Sequence, residues 1–441
     1  MSYSRLEVIH YPNRRNRFSK SVDLKIGQKK VMTPNFSLRL KNAEELDLLL
    51  RVKSRYSLNF LSTYVVRLFD SPRTLYQSIK ALSHKQKKLG GGIVEERFPS
   101  SLGRDVIFID PALEYLYYDV ENILRRITSL FFLPKILRDY AKACLKGKKM
   151  RIKSDYRKWR EAYHRKFWNR IYEDHSKRTR MIRDIQNLEI RNKADVLLPP
   201  VPIVTSSRML DIALLMNERS RELARGKKES ADYFLLRFDA LRKDDIMNKI
   251  KQHIENAEDT RLTIFKFKYM NLNDEERALE RTAYKTLLME LSFVAQHLEN
   301  KAFMLLEGGN QIFPSALAGF DIVSSSFSGD KEDRHSRKTR SPFANWYDPE
   351  YMIHRSREEL IQIIQNNNGA VPCHCPICAS PSAFLTSDFT EYNRNVKKHY
   401  IFSKESEMKE IFTAIEHKTT AMGVDKLQRS SLKNLIDLIP R

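Results

Sequence analysis

Apolar strand patterns alternate with helical ones along most of the chain, which predicts an α/β fold. A (β/α)8 TIM-type barrel fits that alternation better than a doubly wound sheet. Two further observations shape the prediction. The apolar run Val106-Ile107-Phe108-Ile109 ends in Asp110, describing a buried parallel strand with a carboxylate at its C-terminal end, the active-site face of such a barrel. Three of the four cysteines, Cys373, Cys375 and Cys378, fall within six residues, with His399 about twenty residues further on. That spacing suits one tetrahedral Zn2+. The expected organisation is a barrel over 1–345, including a basic helical insertion at about 115–192, followed by a zinc-binding subdomain over 346–441.

In chain order, Met32-Thr33-Pro34-Asn35-Phe36 follows a short basic strand pattern, and Ala43 to Val52 reads as a helix with Asn42 as N-cap. Leu58 to Tyr64 reads as a buried strand. Gly90-Gly91-Gly92 is a flexible turn and not a phosphate loop, because no Lys-Ser/Thr follows at the required spacing. Asp110 is either a functional carboxylate or the N-cap of the helix after it. From Glu114 to Asn192 the pattern is helical. Within it, Lys146 to Arg183 is strongly basic, with Tyr156, Trp159, Tyr163, Phe167, Trp168 and Tyr172 interleaved. Most of these rings read as the core stripe of amphipathic helices. The basic face, including Lys149, Arg151, Arg157, Lys158 and Arg165, is expected to grip phosphates.

Beyond the insertion, strands are expected at Val196 to Leu198, Tyr233 to Asp239, Leu262 to Lys268, Ala302 to Leu306 and up to Ser324. Helices are expected over Ser207 to Arg225 and Glu275 to Glu299. The stretch from Ser324 to Arg340, rich in serine and in charges of both signs, reads as a mobile loop. His399 reads as lying at the start of the last helix, so that zinc would pin a loop to a helix. Three thiolates and one imidazole close the coordination sphere, which makes the site structural.

The formal net charge of +23 over 441 residues favours a polyanionic partner. The apolar run near Ile127 to Leu137 is too short and too interrupted to span a bilayer, and the N-terminus has no apolar signal region. No membrane association is expected. Cysteine usage points to a reducing compartment, hence the cytoplasm.

Pro372-Cys373-x-Cys375-Pro376-x-Cys378, followed by a helix histidine, resembles the zinc signature of the tRNA-guanine transglycosylases. Thr33-Pro34-Asn35-Phe36 is similar to that family's Thr-Pro-x-Phe, and Ser62-Thr63-Tyr64-Val65 is a looser copy of its Asn-Thr-Tyr-His. Asp110 matches the essential Asp of Thr-Asp-Ser-Gly-Gly-Phe-Gln, although Pro111-Ala112-Leu113-Glu114 replaces the Ser-Gly-Gly-Phe of that motif. Gly319 and Asp321 match the Gly and first Asp of Gly-x-Asp-x-Phe-Asp, while the second Asp, the family's nucleophile, falls on Ser324. Asp321 itself reads as structural. Pro199 and Pro200 stand where the family has a purine-binding Asp, and its Gly-Gly-Leu-Ala loop is lacking. Those altered base-recognition segments, the lack of an appended RNA-binding domain after the zinc helix and the basic insertion look most like the DNA-modifying, DpdA-type branch.

The resemblance implies base exchange: guanine in DNA leaves through a covalent glycosyl-enzyme, and a 7-deazaguanine such as 7-cyano-7-deazaguanine takes its place. The resemblance assigns one carboxylate to Asp110; Asp239, which ends another expected strand, is the choice for the other, with Glu307 behind it, and Glu307 and Ser324 are expected to bind the substrate. The implied partners are DNA, the 7-deazaguanine base and proteins of a DNA-modification system in a bacterial or phage-infected cell. A tRNA-directed transglycosylase and a non-catalytic, zinc-retaining subunit that binds nucleic acid remain the alternatives.

Overall fold

A computed structural model of the chain describes residues 6–15, 20–27, 29–40, 45, 48, 60–64, 106–114, 134–191, 194–237, 240, 243–268, 290, 298, 300–306, 315–316, 319–326 and 343–416. Asp239, Glu307, Gly90 to Gly92 and most of the helix expected over Glu275 to Glu299 lie outside the described residues.

The chain opens with an antiparallel three-stranded sheet, β1 (Leu6–Arg15), β2 (Lys20–Ile26) and β3 (Lys29–Met32). The parallel sheet begins with β4 (Asn35–Arg39), β5 (Phe60–Tyr64) and β6 (Val106–Asp110). Three helices follow: α1 (Lys135–Lys149), α2 (Lys153–Glu173) and α3 (His175–Arg191). The sheet resumes with the short β7 (Val196–Leu197) and β8 (Ile203–Val204). Helix α4 (Ser207–Ala224) leads to β9 (Glu229–Ser230) and β10 (Asp232–Arg237), and α5 (Asp244–Asn256) leads to β11 (Leu262–Lys268). Strands β12 (Ala302–Leu306) and β13 (Ile322–Ser326) come next. The hairpin β14 (Trp346–Asp348) and β15 (Ile353–Arg355), then α6 (Arg357–Asn366), α7 (Ser382–Leu385) and α8 (Phe389–Glu416), complete the description.

The parallel sheet runs β8-β10-β11-β12-β13-β4-β5-β6-β7-β9. Its two ends are not independent edges. Segments β9 and β10 are separated only by Ala231, and they pair with β7 and β8, which follow one another in the chain. Every described side chain of β4 and β12 is buried, as expected of strands covered on both faces.

Two aspartates fasten strand starts in the same way. Asp195 donates its backbone N–H to the Ile107 carbonyl and accepts the Ile107 N–H on its carboxylate at 2.8 Å. Asp321 does the same with Phe303, again at 2.8 Å. Each carboxylate supplies a ladder acceptor where the strand has not yet begun. The structural reading of Asp321 agrees with this contact.

Helix boundaries follow from capping. Ser206 caps α4 by accepting the Met209 N–H, and Ser356 and Glu359 form a reciprocal capping box on α6, devices contributing about 1 kcal/mol each. Helix α8 starts at Phe389 because the Asp388 carboxylate accepts the N–H groups of Thr390 and Glu391. His399 therefore lies well inside α8 and not at its opening, a correction to the sequence expectation. The later turns of α8 join the main core through Tyr400, Ile401 and Met408, while Tyr392 and Val396 belong to a second core with Trp346, Leu360 and Phe384.

Candidate functional site

Asp110 closes β6, and three groups converge on its carboxylate. Its Oδ1 accepts the Tyr233 hydroxyl at 3.0 Å and the Ala112 N–H at 2.8 Å. Its Oδ2 accepts the Lys266 ammonium at 2.5 Å. Lys266 also forms an ion pair with Glu114. All four side chains, Asp110, Glu114, Tyr233 and Lys266, are buried. The turn after Asp110 places Ala112 at φ 48, in the left-handed region that an alanine avoids. Strain of that kind costs on the order of 1 kcal/mol or more and gathers at functional sites. Asp110 thus both organises the following turn and reaches across to β10 and β11.

Glu189, on α3, adds a second kind of carboxyl. It is fully buried, and its Oε1 accepts the Leu198 N–H at 3.0 Å. Burial holds its pKa well above the usual carboxylate range; the Leu198 hydrogen bond opposes this, and the nearby Asp110 charge adds to it. A carboxylate bound to an ammonium thus lies within electrostatic reach of a buried carboxyl whose pKa is raised. A carboxyl whose pKa is raised by burial is suited to general-acid work.

A stability consequence follows for Glu189. The native state keeps a proton that the unfolded chain releases near its ordinary pKa of about 4.3. Its contribution is complete below that pH and is lost as pH rises toward the raised native value. Glu189→Gln should match wild type in urea midpoint near pH 4 and exceed it increasingly toward pH 8. Parallel pH profiles for the two proteins would show that Glu189 is ionised in the native state.

Cys373, Cys375, Cys378 and His399 bring their ligand atoms within 4.8 Å of one another. The His399 Nδ1 lies 3.8, 3.4 and 3.3 Å from the three sulfurs in that order. Tetrahedral zinc, with Zn–S near 2.3 Å and Zn–N near 2.0 Å, sets its ligand atoms roughly 3.5–3.8 Å apart, so the four groups fit the ion. The imidazole is already oriented. Its Nε2 lies 2.6 Å from the Tyr347 carbonyl, which can only accept, so Nε2 carries the hydrogen and Nδ1 faces the sulfurs. Trp346 stacks on the ring at 5.1 Å and Phe384 meets it edge-on. The Cys375-to-Cys378 turn is tied by the Cys378 N–H to the Cys375 carbonyl at 3.0 Å. His374 is exposed and outside this group.

The basic insertion is a set of packed helices. Lys149, Arg151, Lys158 and Arg165 are exposed, and Arg157 lies on the same helix as the last two. Between 135 and 191 the chain has 19 Lys/Arg against 7 Asp/Glu, so cations dominate the surface. The rings are used internally. Tyr156 and Tyr163 stack with Trp159 at 5.9 and 5.1 Å, and Tyr163 stacks with Tyr140 of α1 at 5.7 Å. The Arg151 guanidinium lies 4.6 Å from the Trp159 centroid, and Gly147 packs so closely beneath the indole that a Cβ would meet it at 2.1 Å. The core-stripe reading of the aromatics holds for this ladder. His164 in the same interface bonds the Tyr140 hydroxyl at 2.8 Å, and burial lowers its pKa to about 3, with the Arg160 charge contributing.

Of the remaining expected site residues, Ser324 is buried in β13, in register with Ser37 of β4. Ser325 beside it accepts the Tyr400 hydroxyl of α8 at 3.0 Å, so alternation turns Ser324 to the face away from that helix. Asp239 and Glu307 lie outside the described residues. Sequence reasoning missed Lys266, Tyr233, Glu114 and Glu189. A signal existed for Lys266 alone: a cation set among Ile264, Phe265 and Phe267 in an otherwise apolar strand has to meet a buried carboxylate.

Protein-family models give no match to this chain, and a search of curated proteins finds no significant relative. Among the described residues, no helix is long and apolar enough to cross a membrane.

Proposed function

We propose that this chain is a base-exchanging transglycosylase acting on DNA, built on a closed (β/α)8 barrel with a zinc clasp between its last strand and last helix. The ion pair between Asp110 and Lys266 supports closure. In the ladder order, β6 and β11 stand five strands apart through β5, β4, β13 and β12. At about 4.8 Å per strand, an open sheet would separate them by on the order of 24 Å. A separation of 2.5 Å fits a sheet curled so that both side chains point inward.

The observation that carries the reaction is the carboxyl pair. Asp110, charge-paired to Lys266, is suited to act as the carboxylate. It attacks C1′, the C1′–N9 bond breaks, and the electron pair leaves with guanine. A neutral carboxylic acid protonates the departing base, and the reverse sequence joins the incoming 7-deazaguanine to C1′. Burial raises the Glu189 pKa in the direction the acid role needs, and Asp239 and Glu307 are the sequence candidates for that role. In duplex DNA the target nucleotide must first leave the stack. The exposed cations of α1–α3 offer the backbone a grip that is insensitive to sequence, since their aromatic rings are engaged with one another.

Zinc fits the four-ligand site as a structural ion. One observation favours the non-catalytic alternative: the position matching the family's nucleophile carries Ser324, a buried hydroxyl. The deciding assay is incorporation of labelled guanine into duplex DNA, with tRNA in parallel, followed by nucleoside mass spectrometry. Wild type should label DNA, and Asp110→Asn should be slower by about a hundredfold or more, because an amide neither attacks C1′ nor carries the proton. Labelling of tRNA alone would move the reading to the tRNA enzyme. No labelling of either polymer, with or without co-purified partners, would establish the non-catalytic subunit.

A further inference from the structure

The end of the sheet opposite Asp110 has a polar cleft of about 340 Å3. Arg221 and Arg225 enter it from the end of α4, Lys228 and Glu229 from the approach to β9, and Asp259 and Arg261 from the turn before β11. Four cations thus face two carboxylates.

The cations have different duties. Arg221 pairs with the buried Asp232, which His253 also meets at 2.9 Å. Among the described residues, Arg225 pairs with Asp259 alone, at 3.8 Å, and both side chains are more than four-fifths exposed. Such a pair contributes little. Lys228 and Arg261 are half-buried, and no carboxylate among the described residues pairs with either. Capping of helix ends accounts for other basic groups here but not for these two. The buried Lys301 donates to the carbonyls of Ile254 and Ala257 at the end of α5. Its pKa is lowered first by burial; Asp232 opposes this, and the charges of Arg221 and Arg261 add to the lowering. Positive charge therefore accumulates beneath the cleft beyond what its carboxylates balance.

We propose that this cleft is a phosphate-binding site, with Lys228 and Arg261 as its anchors and Arg225 free to turn from Asp259 onto the anion. Phosphate matches the set: an arginine fork takes two oxygens, and an ammonium supplies a point charge. The volume exceeds one phosphate and admits a pyrophosphate or a stretch of nucleic-acid backbone. Both sources present the same chemistry. The cleft also adjoins the basic helices. Gln186 and Thr179 of α3 bond Ser220 and Arg219 of α4, and the Ser220 hydroxyl meets Ser230 of the cleft at 3.1 Å. The site does not depend on base exchange, so labelled-guanine incorporation can fail while phosphate binding persists.

The test is calorimetric titration of the zinc-loaded full chain with inorganic pyrophosphate. Wild type should bind at one saturable site. The Lys228→Ala/Arg261→Ala double variant should bind at least about tenfold more weakly, since both anchors hold the anion through charge-assisted hydrogen bonds. Arg261→Lys, which keeps charge but loses the fork, should fall between them and guards against a folding defect. A parallel titration with a DNA duplex at fixed salt separates the sources. Weaker duplex binding by the double variant identifies the polymer backbone, and unchanged duplex binding identifies a free phosphate compound. No saturable pyrophosphate binding by wild type, or equal affinity in the double variant, would overturn the proposal.

Discussion

A chain carrying Cys378→Ser is expected to lose its zinc and to melt well below wild type. Cys378 is the most buried of the three thiols, 3 % exposed, and its sulfur is the closest to the His399 Nδ1, at 3.3 Å. A serine hydroxyl at that position is a poor zinc ligand and leaves a polar group facing two thiols. Structural zinc supplies on the order of 10–16 kcal/mol of apparent binding energy in small domains, and that energy is coupled to folding. Here the second core of Trp346, Leu360, Phe384 and Tyr392 shares the task, so a fall in Tm of roughly 10 °C is expected instead of complete unfolding. Metal analysis should drop from one zinc per chain to near zero. One zinc per chain with unchanged melting would remove Cys378 from the ligand set.

The other large effect belongs to Lys266. Lys266→Met keeps most of the volume but leaves the carboxylates of Asp110 and Glu114 buried without their cation. Removing one partner of a buried ion pair typically costs about 3–5 kcal/mol, because the remaining charge is uncompensated. Urea unfolding at pH 7 should show that loss as a lower midpoint with an unchanged slope. Asp110→Asn and Glu114→Gln, added to Lys266→Met, should recover much of it, because neutral amides no longer need the ammonium. That recovery would show coupling within the cluster and not a general packing defect. A single variant within about 1 kcal/mol of wild type would mean that the cluster is solvated and the ion pairs are weak.

Legibility in the sequence followed the range of the interactions. The metal ligands were readable because three thiols within six residues have few other uses. Asp110 was readable because an acid ending an apolar run marks a strand end. Helix α4 emerged at nearly the expected bounds because its cap and its periodic apolar face are local. The rest depends on distant pairing. Tyr233, Lys266 and Glu189 gain their meaning only when β10, β11 and α3 come to face the end of β6, and no local pattern encodes that meeting. The start of α8 was expected nearer to His399 than it lies, because Asp388, the cap that starts α8, looks like any loop acid. The break between β7 and β8 is marked by Pro199, Pro200 and Pro202, and the one between β9 and β10 has no such mark.

Helix α8 has two attachments, and they couple the cysteine–histidine cluster to the parallel sheet. One stretch of it closes the cluster of three cysteines through His399. The next residue, Tyr400, meets Phe36 of β4 and Ser325 of β13, the two strands where the beginning and the end of the parallel sheet are joined. Loosening the Cys373, Cys375, Cys378 and His399 cluster would therefore also loosen the cover that Tyr400 places over the pairing of β4 and β13, and present paired strands to proteases and to neighbouring molecules.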